Sequence, residues 1–428
     1  MHYLLLPLCV VALAIPVSAQ TLTGQPDNIP TTQLSISTNR EPTGPLTLRA
    51  ALDLALQSNP DLLAIQYELE AVEGALLQAG ARPNPSVEFL VQDTRRETRE
   101  TTVQLSQPIE LGAKRAARVR AAEHGRTAAA AELNAKRAEV RAGVINSFFD
   151  VVTAQERIRL AQDSAELAQR ATTVASKRVV AGKVSPVEET KARVAESAVR
   201  LELTQAKAEL NSARQRLAAT WGSSVPRFGQ AEGQLDALPN LPDPRALSQQ
   251  LSQSPTMARA RAELERRQAL SDVERSRRVP DVTLNLGMKR SEELGRNQAI
   301  VGVAIPLPLF DTNHGNVLEA LRREDKARTE LKAAEVRQQT DLAQAFEKLA
   351  VSRQEAESLR REVIPGAQSA YDAATEGFEY GKFGFLDVLD AQRTLLQAKA
   401  QYLRSLAEAQ RAAAEIERMT SATATSDK

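Results

Sequence analysis

The chain is an internal duplication, because segments of its first half return in the same order about 200 residues later. The stretch RVVAGKVSPVEETKA (178–192) has a counterpart in FEYGKFGFLDVLDAQ (378–392). Three residue pairs mark the match, at separations of 195, 198 and 199 positions: Pro85 with Pro280, Pro108 with Pro306, and Gly182 with Gly381. Each copy is predicted to contain a helix, two strands, a very long helix, a Gly-Lys turn and another helix.

Two strand pairs are predicted, at 85–108 and 280–309, from alternation of apolar and polar residues. The apolar face of the first pair comprises Val87, Phe89, Val91, Val103 and Leu105. The connecting loops, 92–101 and 289–298, are rich in charged and polar residues. Strands of about ten residues with one apolar face are typical of outer-membrane barrels. The alternative is a pair of hairpins on a soluble domain.

A very long helix is predicted in each copy. Residues 109–185 contain no proline, alanine is abundant, and apolar residues recur at spacings of three, four and seven. A helix over 112–179 would be about 100 Å long, which no compact domain accommodates. The second copy is predicted to be helical over 315–377, with a kink or weak point at Pro365.

Residues 1–19 are predicted to be a secretory signal peptide, because an apolar run is followed by Pro16 and the small-residue pattern Val17-Ser18-Ala19. The single cysteine, Cys9, lies within that run, so the mature chain has no disulfide or thiolate ligand. No later apolar run reaches about 18 residues, so an exported chain is expected to be soluble or to span a membrane as a barrel. Lys plus Arg (55) balances Asp plus Glu (54), which argues against a nucleic-acid partner.

The number of predicted strands limits how the chain can meet a membrane. Four strands cannot close a barrel, because the smallest membrane barrels have about eight, and an open edge leaves backbone groups unpaired in lipid. Several chains are therefore expected to share one barrel. Two copies would give about eight strands and three would give about twelve with a lumen.

Three segments carry a family resemblance: RPNPSVEFL (82–90), LSQPIELGAKR (105–115) and YGKFGFLDVLDAQ (380–392). They resemble the outer-membrane efflux protein family of TolC, and within it the heavy-metal CzcC-like branch. The resemblance implies a mainly α-helical fold with a small β part. In that fold, a homotrimer shares a 12-stranded β-barrel in the outer membrane of a Gram-negative bacterium, and this barrel continues into a long α-helical barrel through the periplasm.

The resemblance also implies a function without enzymatic activity, cofactor or metal site. The chain would be the passive exit duct of a tripartite system, receiving divalent heavy-metal cations from a resistance-nodulation-division pump through a periplasmic adaptor. A multidrug or type I secretion channel is the alternative cargo class. A soluble periplasmic coiled-coil adaptor is the alternative of another class, and it should lack the amphipathic strands.

The Gly-Lys turns are the predicted adaptor-docking sites. Glycine permits a tight helix-to-helix turn, and in the family these turns contact the adaptor's helical hairpins. The residues assigned to docking are Gly182, Lys183, Ser185, Gly381, Lys382 and Gly384. The alternative is that they are turn residues without a partner.

Asp387 and Asp390 match family aspartates that project into the narrow end of the tunnel. Three copies of each would form two carboxylate rings that attract cations. The alternative is that Asp387 stabilises a helix N-terminus. Drug-exporting relatives carry an arginine latch near Phe383, so the resemblance leaves that latch in doubt here, although Lys382 could replace it.

Enzyme motifs such as GxSxG, a P-loop or HExxH are absent from the sequence. His124 and His314 each stand alone, so surface or capping roles are predicted for them rather than metal binding. The predicted organisation is a signal peptide (1–19), an extended segment (20–45), a first repeat (46–220) with its tip turn at 180–186, a linker or equatorial segment (221–255), a second repeat (256–419) with its tip turn at 379–385, and a disordered tail (420–428).

Overall fold

The computed structural model of the protein describes residues 41–420 and is mainly helical. The helices are α1 (Leu48–Ser58), α2 (Pro60–Ala79), α3 (Lys114–Val180), α4 (Pro186–Ala219), α5 (Pro244–Leu251), α6 (Pro255–Ser276), α7 (His314–Ser358), α8 (Ile364–Glu379) and α9 (Phe385–Thr420). The strands are β1 (Leu46–Thr47), β2 (Ser86–Gln92), β3 (Glu100–Ile109), β4 (Ala231–Glu232), β5 (Val282–Ser291) and β6 (Arg296–Ala304). The predicted signal peptide, the predicted extended segment up to residue 40 and residues 421–428 lie outside this part.

Helix α3 runs for 67 residues without interruption, which corresponds to about 100 Å. It begins directly after two residues in the left-handed region, Gly112 (φ 67°) and Ala113 (φ 57°). A side chain at position 112 would overlap Val279, because its Cβ would lie 2.6 Å from the Val279 Cβ. Asn313 (φ 57°) precedes α7 in the same conformation, so both copies turn from strand to long helix in a similar way.

Four of the strands form one antiparallel sheet in the order β2-β3-β5-β6. Its register places Val87 opposite Leu105, Leu105 opposite Leu286 and Leu286 opposite Val301. One face therefore carries a continuous apolar surface. The exposed apolar residues on it are Val87, Phe89, Val91, Val103, Leu105, Leu284, Leu286, Met288, Val301 and Val303. Strands β2 and β6 each have one neighbour in the sheet, so each leaves one edge unpaired among the residues that the structure describes.

The helices next to the sheet follow the same lateral order as the strands. Helix α2 packs on α3, α3 on α6, and α6 on α7. Further along the long helices the neighbours change, and α4 packs on α3, α3 on α9, and α9 on α7 and α8. None of the helices in residues 41–420 combines the length and apolar character needed to cross a bilayer.

The largest apolar core lies where the two copies are joined. Phe148 on α3 is fully buried with Leu217 and Phe228, and Trp221 packs edge-on against Phe228. The Gln155 side chain hydrogen-bonds both the N–H and the carbonyl of Ala231, at 2.8 and 3.0 Å. These bonds hold β4 on α3, and β4 pairs in parallel with β1. Helix α5 lies within 221–255, where the sequence predicted a linker.

A π-helical turn, Leu359–Val363, separates α7 from α8 directly before Pro365. Its Ile364 N–H bonds the Leu359 carbonyl, five residues back. Buried positions in the two copies are 198 residues apart before this turn, as in Val144 and Leu342, and 199 residues apart after it, as in Ala168 and Ala367. A π-turn is a one-residue insertion in an α-helix, so it accommodates the additional residue of the second copy.

Candidate functional site at the paired Gly-Lys turns

The first turn connects α3 to α4, and its backbone is closed by local hydrogen bonds. Gly182 has φ 67°, and the Lys183 N–H returns to the Arg178 carbonyl at 2.9 Å. This six-to-one bond pattern is typical of a helix that ends at a left-handed glycine. Ser185 then caps α4, because its Oγ accepts a hydrogen bond from the Val187 N–H at 3.3 Å.

The second turn connects α8 to α9 and has the same construction. Gly381 has φ 74°, and the Lys382 N–H bonds the Gly377 carbonyl at 2.8 Å. At the start of α9, the Asp387 carboxylate accepts a hydrogen bond from the Gly384 N–H at 2.8 Å, and the Asp387 N–H bonds the Gly384 carbonyl at 3.2 Å. These reciprocal bonds form a helix cap.

The two turns lie side by side and line one cleft of about 900 Å³. All six residues predicted to dock an adaptor are exposed. The cleft is lined by residues from both turns, among them Lys183, Ser185, Gly381, Gly384 and Asp387. Residues 199 positions apart in the sequence therefore present one composite surface.

Arg178 joins the two turns across the cleft. Its guanidinium donates a hydrogen bond to the Phe378 carbonyl at 2.9 Å and lies over the Phe378 ring, 3.9 Å from the centroid. A planar cation stacked on an aromatic ring that also makes a hydrogen bond is a directional contact. Sequence analysis did not identify Arg178. Aligning the copies at 199 residues would have drawn attention to it, because that alignment sets Arg178 against Gly377.

Gly377 is buried beneath the Phe383 ring. A Cβ at position 377 would lie 2.2 Å from Phe383 Cδ2, so no larger residue fits without moving the ring. The family resemblance places the arginine of drug exporters near the position of Phe383. In this chain the position carries a packing contact within the second turn, and the cation that spans the two turns is Arg178.

Asp387 and Asp390 are both exposed on the first turns of α9. Asp387 has the capping bonds described above, which supports the predicted role at the helix N-terminus. Asp390 lies about one turn further along. In the first copy the matching residues are Glu188 and Lys191, which form an ion pair at 3.4 Å. At this matched pair of positions, the second copy therefore presents two carboxylates where the first presents a Glu-Lys ion pair.

Neither histidine belongs to a group of metal ligands. His124 Nδ1 lies 3.5 Å from a Glu265 carboxylate oxygen on the surface of α3 and α6, and His314 is the first residue of α7. Within residues 41–420, no three His, Cys, Asp or Glu side chains are grouped so that they could hold a metal ion.

Comparison with protein families accounts for this arrangement. The family model described as "Outer membrane efflux protein" matches residues 51–223 and 246–422, which together include both copies. The chain belongs to the outer membrane efflux protein family.

Relatives within the outer membrane efflux protein family include metal-resistance proteins of Cupriavidus metallidurans. The chain is 50% identical over 380 residues to the "Cobalt-zinc-cadmium resistance protein CzcC", covering 89% of this chain and 91% of that one. It is 31% identical over 298 residues to the "Nickel and cobalt resistance protein CnrC", covering 68% and 69% of the two chains.

Solved structures of outer membrane efflux proteins share the fold. The crystal structure of CusC superposes with a TM-score of 0.76 at 18% identity, covering 87% of this chain and 91% of that one. The Campylobacter jejuni CmeC outer membrane channel gives a TM-score of 0.76 at 18% identity, covering 89% and 87%. At these identities, the similarity shows the fold alone.

Proposed function

We propose that the chain is the outer-membrane channel of a tripartite efflux system whose cargo is divalent heavy-metal cations. The observation that carries this proposal is the 50% identity to a cobalt-zinc-cadmium resistance protein over nine-tenths of both chains. The channel is a passive duct without enzymatic activity. An inner-membrane pump of the resistance-nodulation-division class supplies the energy and selects the cargo, and a periplasmic adaptor connects the pump to the channel.

Three copies form the channel by joining their open edges. Each chain contributes four strands, so a trimer has a 12-stranded barrel, and β6 of one copy pairs with β2 of the next. The apolar face of the sheet supports this arrangement, because it suits contact with lipid. The helices at the two lateral ends of the helix layer support this arrangement too. Their exposed apolar residues include Tyr67 and Leu77 on α2, Val187, Val194 and Leu201 on α4, and Leu318, Val336 and Val351 on α7.

The helical part extends from the outer membrane through the periplasm, with the paired turns at its far end. The first repeat spans 46–220 and the second spans 256–419, and each contributes one turn to the docking surface. Gly182, Lys183 and Ser185 from one turn, with Gly381, Lys382 and Gly384 from the other, contact the adaptor. All six are exposed, and Lys183, Ser185, Gly381 and Gly384 line one shared cleft, which supports this assignment.

Asp387 and Asp390 form two acidic rings at the narrow end of the duct. Rings of carboxylates concentrate cations and repel anions. Asp387 keeps its capping bond at the same time, because one carboxylate oxygen accepts the Gly384 N–H and the other is left to face the duct.

The cargo is tested by deleting the gene and measuring growth in zinc, cobalt, cadmium, copper or silver salts, and separately in dyes and antibiotics. We expect increased sensitivity to metals alone. Sensitivity to dyes and antibiotics with unchanged growth in metals would identify a multidrug channel instead. A protein that is recovered from cells without detergent would support the coiled-coil adaptor class and contradict the channel.

The acidic rings are tested by single-channel recording of Asp387→Asn and Asp390→Asn, alone and together. Asparagine removes the charge and retains an oxygen that can cap α9, so the helix start is preserved. We expect the double variant to lose most of its preference for cations. An unchanged preference would leave helix capping as the role of Asp387.

Docking is tested by retention of the adaptor on immobilised channel. We expect Lys183→Glu with Lys382→Glu to reduce retention, because both lysines are exposed on the paired turns. Lys326→Glu on α7 is the matched control, since it reverses an exposed charge far from the turns. Equal retention by all three proteins would refute the assignment of the turns.

A further inference from the structure

The segment that follows β6 is strongly apolar, and no element within residues 41–420 covers it. Residues 305–310 read IPLPLF, and Leu307, Leu309 and Phe310 are 74%, 75% and 100% exposed. Patches of this kind on a folded protein mark contact surfaces. The segment lies at the junction of sheet and helix, on the same side of the chain as the unpaired edge of β6.

The matching segment of the first copy is less exposed, with Ile109 and Leu111 at 40% and 39%, and its contacts show what such a segment binds. Gly112 packs against Val279, and the Leu111 N–H donates to the Asp281 carboxylate at 3.1 Å. Asp281 also forms a 2.7 Å ion pair with Lys114. The end of β3 and the start of α3 therefore pack on the connection between α6 and β5, which belongs to the second copy.

The start of α3 also contacts the last turns of α6, where Ala117 and Ala121 pack with Ala269 and Val273. Because the chain is duplicated, α6 and its connection to β5 have counterparts in the first copy. These counterparts are α2 and its connection to β2. Within one chain, however, β2 and β6 are the two edge strands of the sheet, and α2 and α7 are the two outermost of the helices next to it. The second copy can therefore make the equivalent contact with another chain and not with its own.

The edge of the chain formed by α2 and β2 offers the complementary surface. Leu77, in the last turn of α2, is 81% exposed, and Asn84 is exposed just before β2. The charges also match, because Arg82 lies at this end and Asp311 at the other. Neither forms an ion pair within residues 41–420, and both are exposed.

We propose that Ile305–Phe310 of one copy packs on the α2–β2 connection of the next copy, with Phe310 against Asn84 and Leu318 of α7 against Leu77. This contact repeats between chains what the first copy makes within its own chain. It deepens the proposed function, because it requires the ring in which β6 meets the next copy's β2. It assigns the apolar segment to a protein interface rather than to lipid.

The test uses cysteine pairs, and the absence of cysteine from residues 20–428 makes each introduced thiol unique. Asn84→Cys with Phe310→Cys, treated with a short bismaleimide in detergent, should give covalent dimers and trimers on a denaturing gel. Either single variant should give monomers. The matched control is Asn84→Cys with Leu294→Cys, because Leu294 is also exposed but lies in the loop at the far end of the same strand pair.

Light scattering of the same samples separates this inference from the proposed ring. A trimer that does not cross-link at 84 and 310 overturns the inference and leaves the ring in place. A protein that is monomeric before treatment overturns both. Labelling of the 310 thiol by a membrane-confined maleimide in the assembled trimer would identify lipid as the occupant.

A double-mutant cycle supplies a second measurement. Leu77→Ser and Leu318→Ser should each lower the temperature at which the trimer dissociates, and the double variant should lower it no further than the larger single effect. Strictly additive effects would contradict contact between these two residues.

Discussion

The two halves of the chain share an order of elements but differ in how their long helices are built. Helix α3 is continuous and carries the aromatic part of the core, with Phe148 fully buried. Its counterpart is divided by the π-turn before Pro365, and the matching Phe346 is only partly buried. A duplicated sequence therefore retains its topology while the packing diverges, because each half has different neighbours.

The turns differ in the same way. In the first turn Arg178 extends across to the other hairpin, whereas Gly377, its match, is covered by Phe383 within its own hairpin. In this contact, the first copy therefore supplies the cation, and the second supplies the ring and the carbonyl that receive it. Variants that make one half resemble the other test whether these differences matter.

The largest expected effect comes from deleting one residue of α3, compared with deleting one residue of its counterpart in the second copy. Deleting Gln162 from α3 rotates everything beyond it by about 100°, which turns the buried Ala168 and Ala175 away from their contacts. We expect a loss of more than about 4 kcal/mol of folding free energy. Deleting Arg361 together with Pro365→Ala should cost far less, because the deletion converts the π-turn to regular helix.

Denaturant unfolding in detergent, followed by far-ultraviolet circular dichroism, measures both deletions. Pro365→Ala alone is the control for the loss of the proline. Equal losses from the two deletions would show that the π-turn does not hold the additional residue of the second copy.

A second comparison concerns Val140 and Gln338, which are matched and both buried. The Gln338 side-chain oxygen has no hydrogen-bond partner within residues 41–420. Gln338→Val should therefore raise the free energy of unfolding by about 1 to 2 kcal/mol, because an unsatisfied buried polar atom is removed. Val140→Gln, measured in the same denaturant titration, should lower it by a similar amount. A loss of stability in Gln338→Val would show that the amide has a partner in the assembly.

The third comparison concerns the covered glycine of the second turn. Gly377→Ala should lower stability by about 1 to 3 kcal/mol, because the added methyl overlaps the Phe383 ring. Phe383→Ala in the same chain should recover most of that loss by making room. Amide hydrogen exchange over 371–390 reports the change. A double variant that exchanges as fast as Gly377→Ala would contradict the assigned contact.

The fourth comparison removes the contact of Arg178 with Phe378, which joins the two helical hairpins. Arg178→Ala should cost about 1 kcal/mol, because a hydrogen bond and a ring contact are lost at a partly exposed site. The two hairpins should separate more readily, which single-channel recording would detect as a higher conductance. Lys177→Ala removes the same charge from the neighbouring exposed position. An identical conductance for the two variants would mean that charge alone, and not the contact, controls the opening.

The smallest expected effect concerns an ion pair at the end of α9. The hydrogen bond from Arg418 holds the pKa of Glu415 below its ordinary value of 4.5, and Asp341 and Glu139 also face Arg418. The first copy has Arg216 and Ala219 at the matching positions. Because the folded pKa is lowered, the stabilisation is present above pH 4.5 and is lost as the pH falls below it.

Glu415→Gln should therefore lose less stability than the wild type between about pH 6 and about pH 3, by less than about 1 kcal/mol, since the pair is partly exposed. Thermal unfolding across this range measures the difference. Parallel curves for the two proteins would refute a contribution from the pair.

Much of this architecture was predictable because it depends on periodicity. Alternation in the strands and three-four spacing in the helices predicted the elements, and the glycines at 182 and 381 predicted the turns. The shift in separation from 198 to 199 residues was visible in the sequence as well. The location of the additional residue was not visible in the sequence, because only the buried positions on either side of the π-turn show where it lies.

Contacts that depend on single side chains across the fold were not predictable. The stacking of Arg178 on Phe378 joins residues 200 positions apart, and no local sequence pattern predicts it. The pairing of β1 with β4, two residues each, is too short to give a periodic signal. For Asp387 the sequence left two alternatives open, a carboxylate ring in the tunnel or stabilisation of a helix N-terminus, and the hydrogen bond that it accepts from the Gly384 N–H supports the second.

The continuity of α3 has a mechanical consequence. The helix is one unbroken hydrogen-bonded segment about 100 Å long. Its counterpart has a joint separated from the Gly-Lys turn by the 16 residues of α8, where a proline and a π-turn interrupt the regular hydrogen-bond ladder. Bending is therefore expected to concentrate at this joint in the second copy, whereas α3 has no comparable weak point.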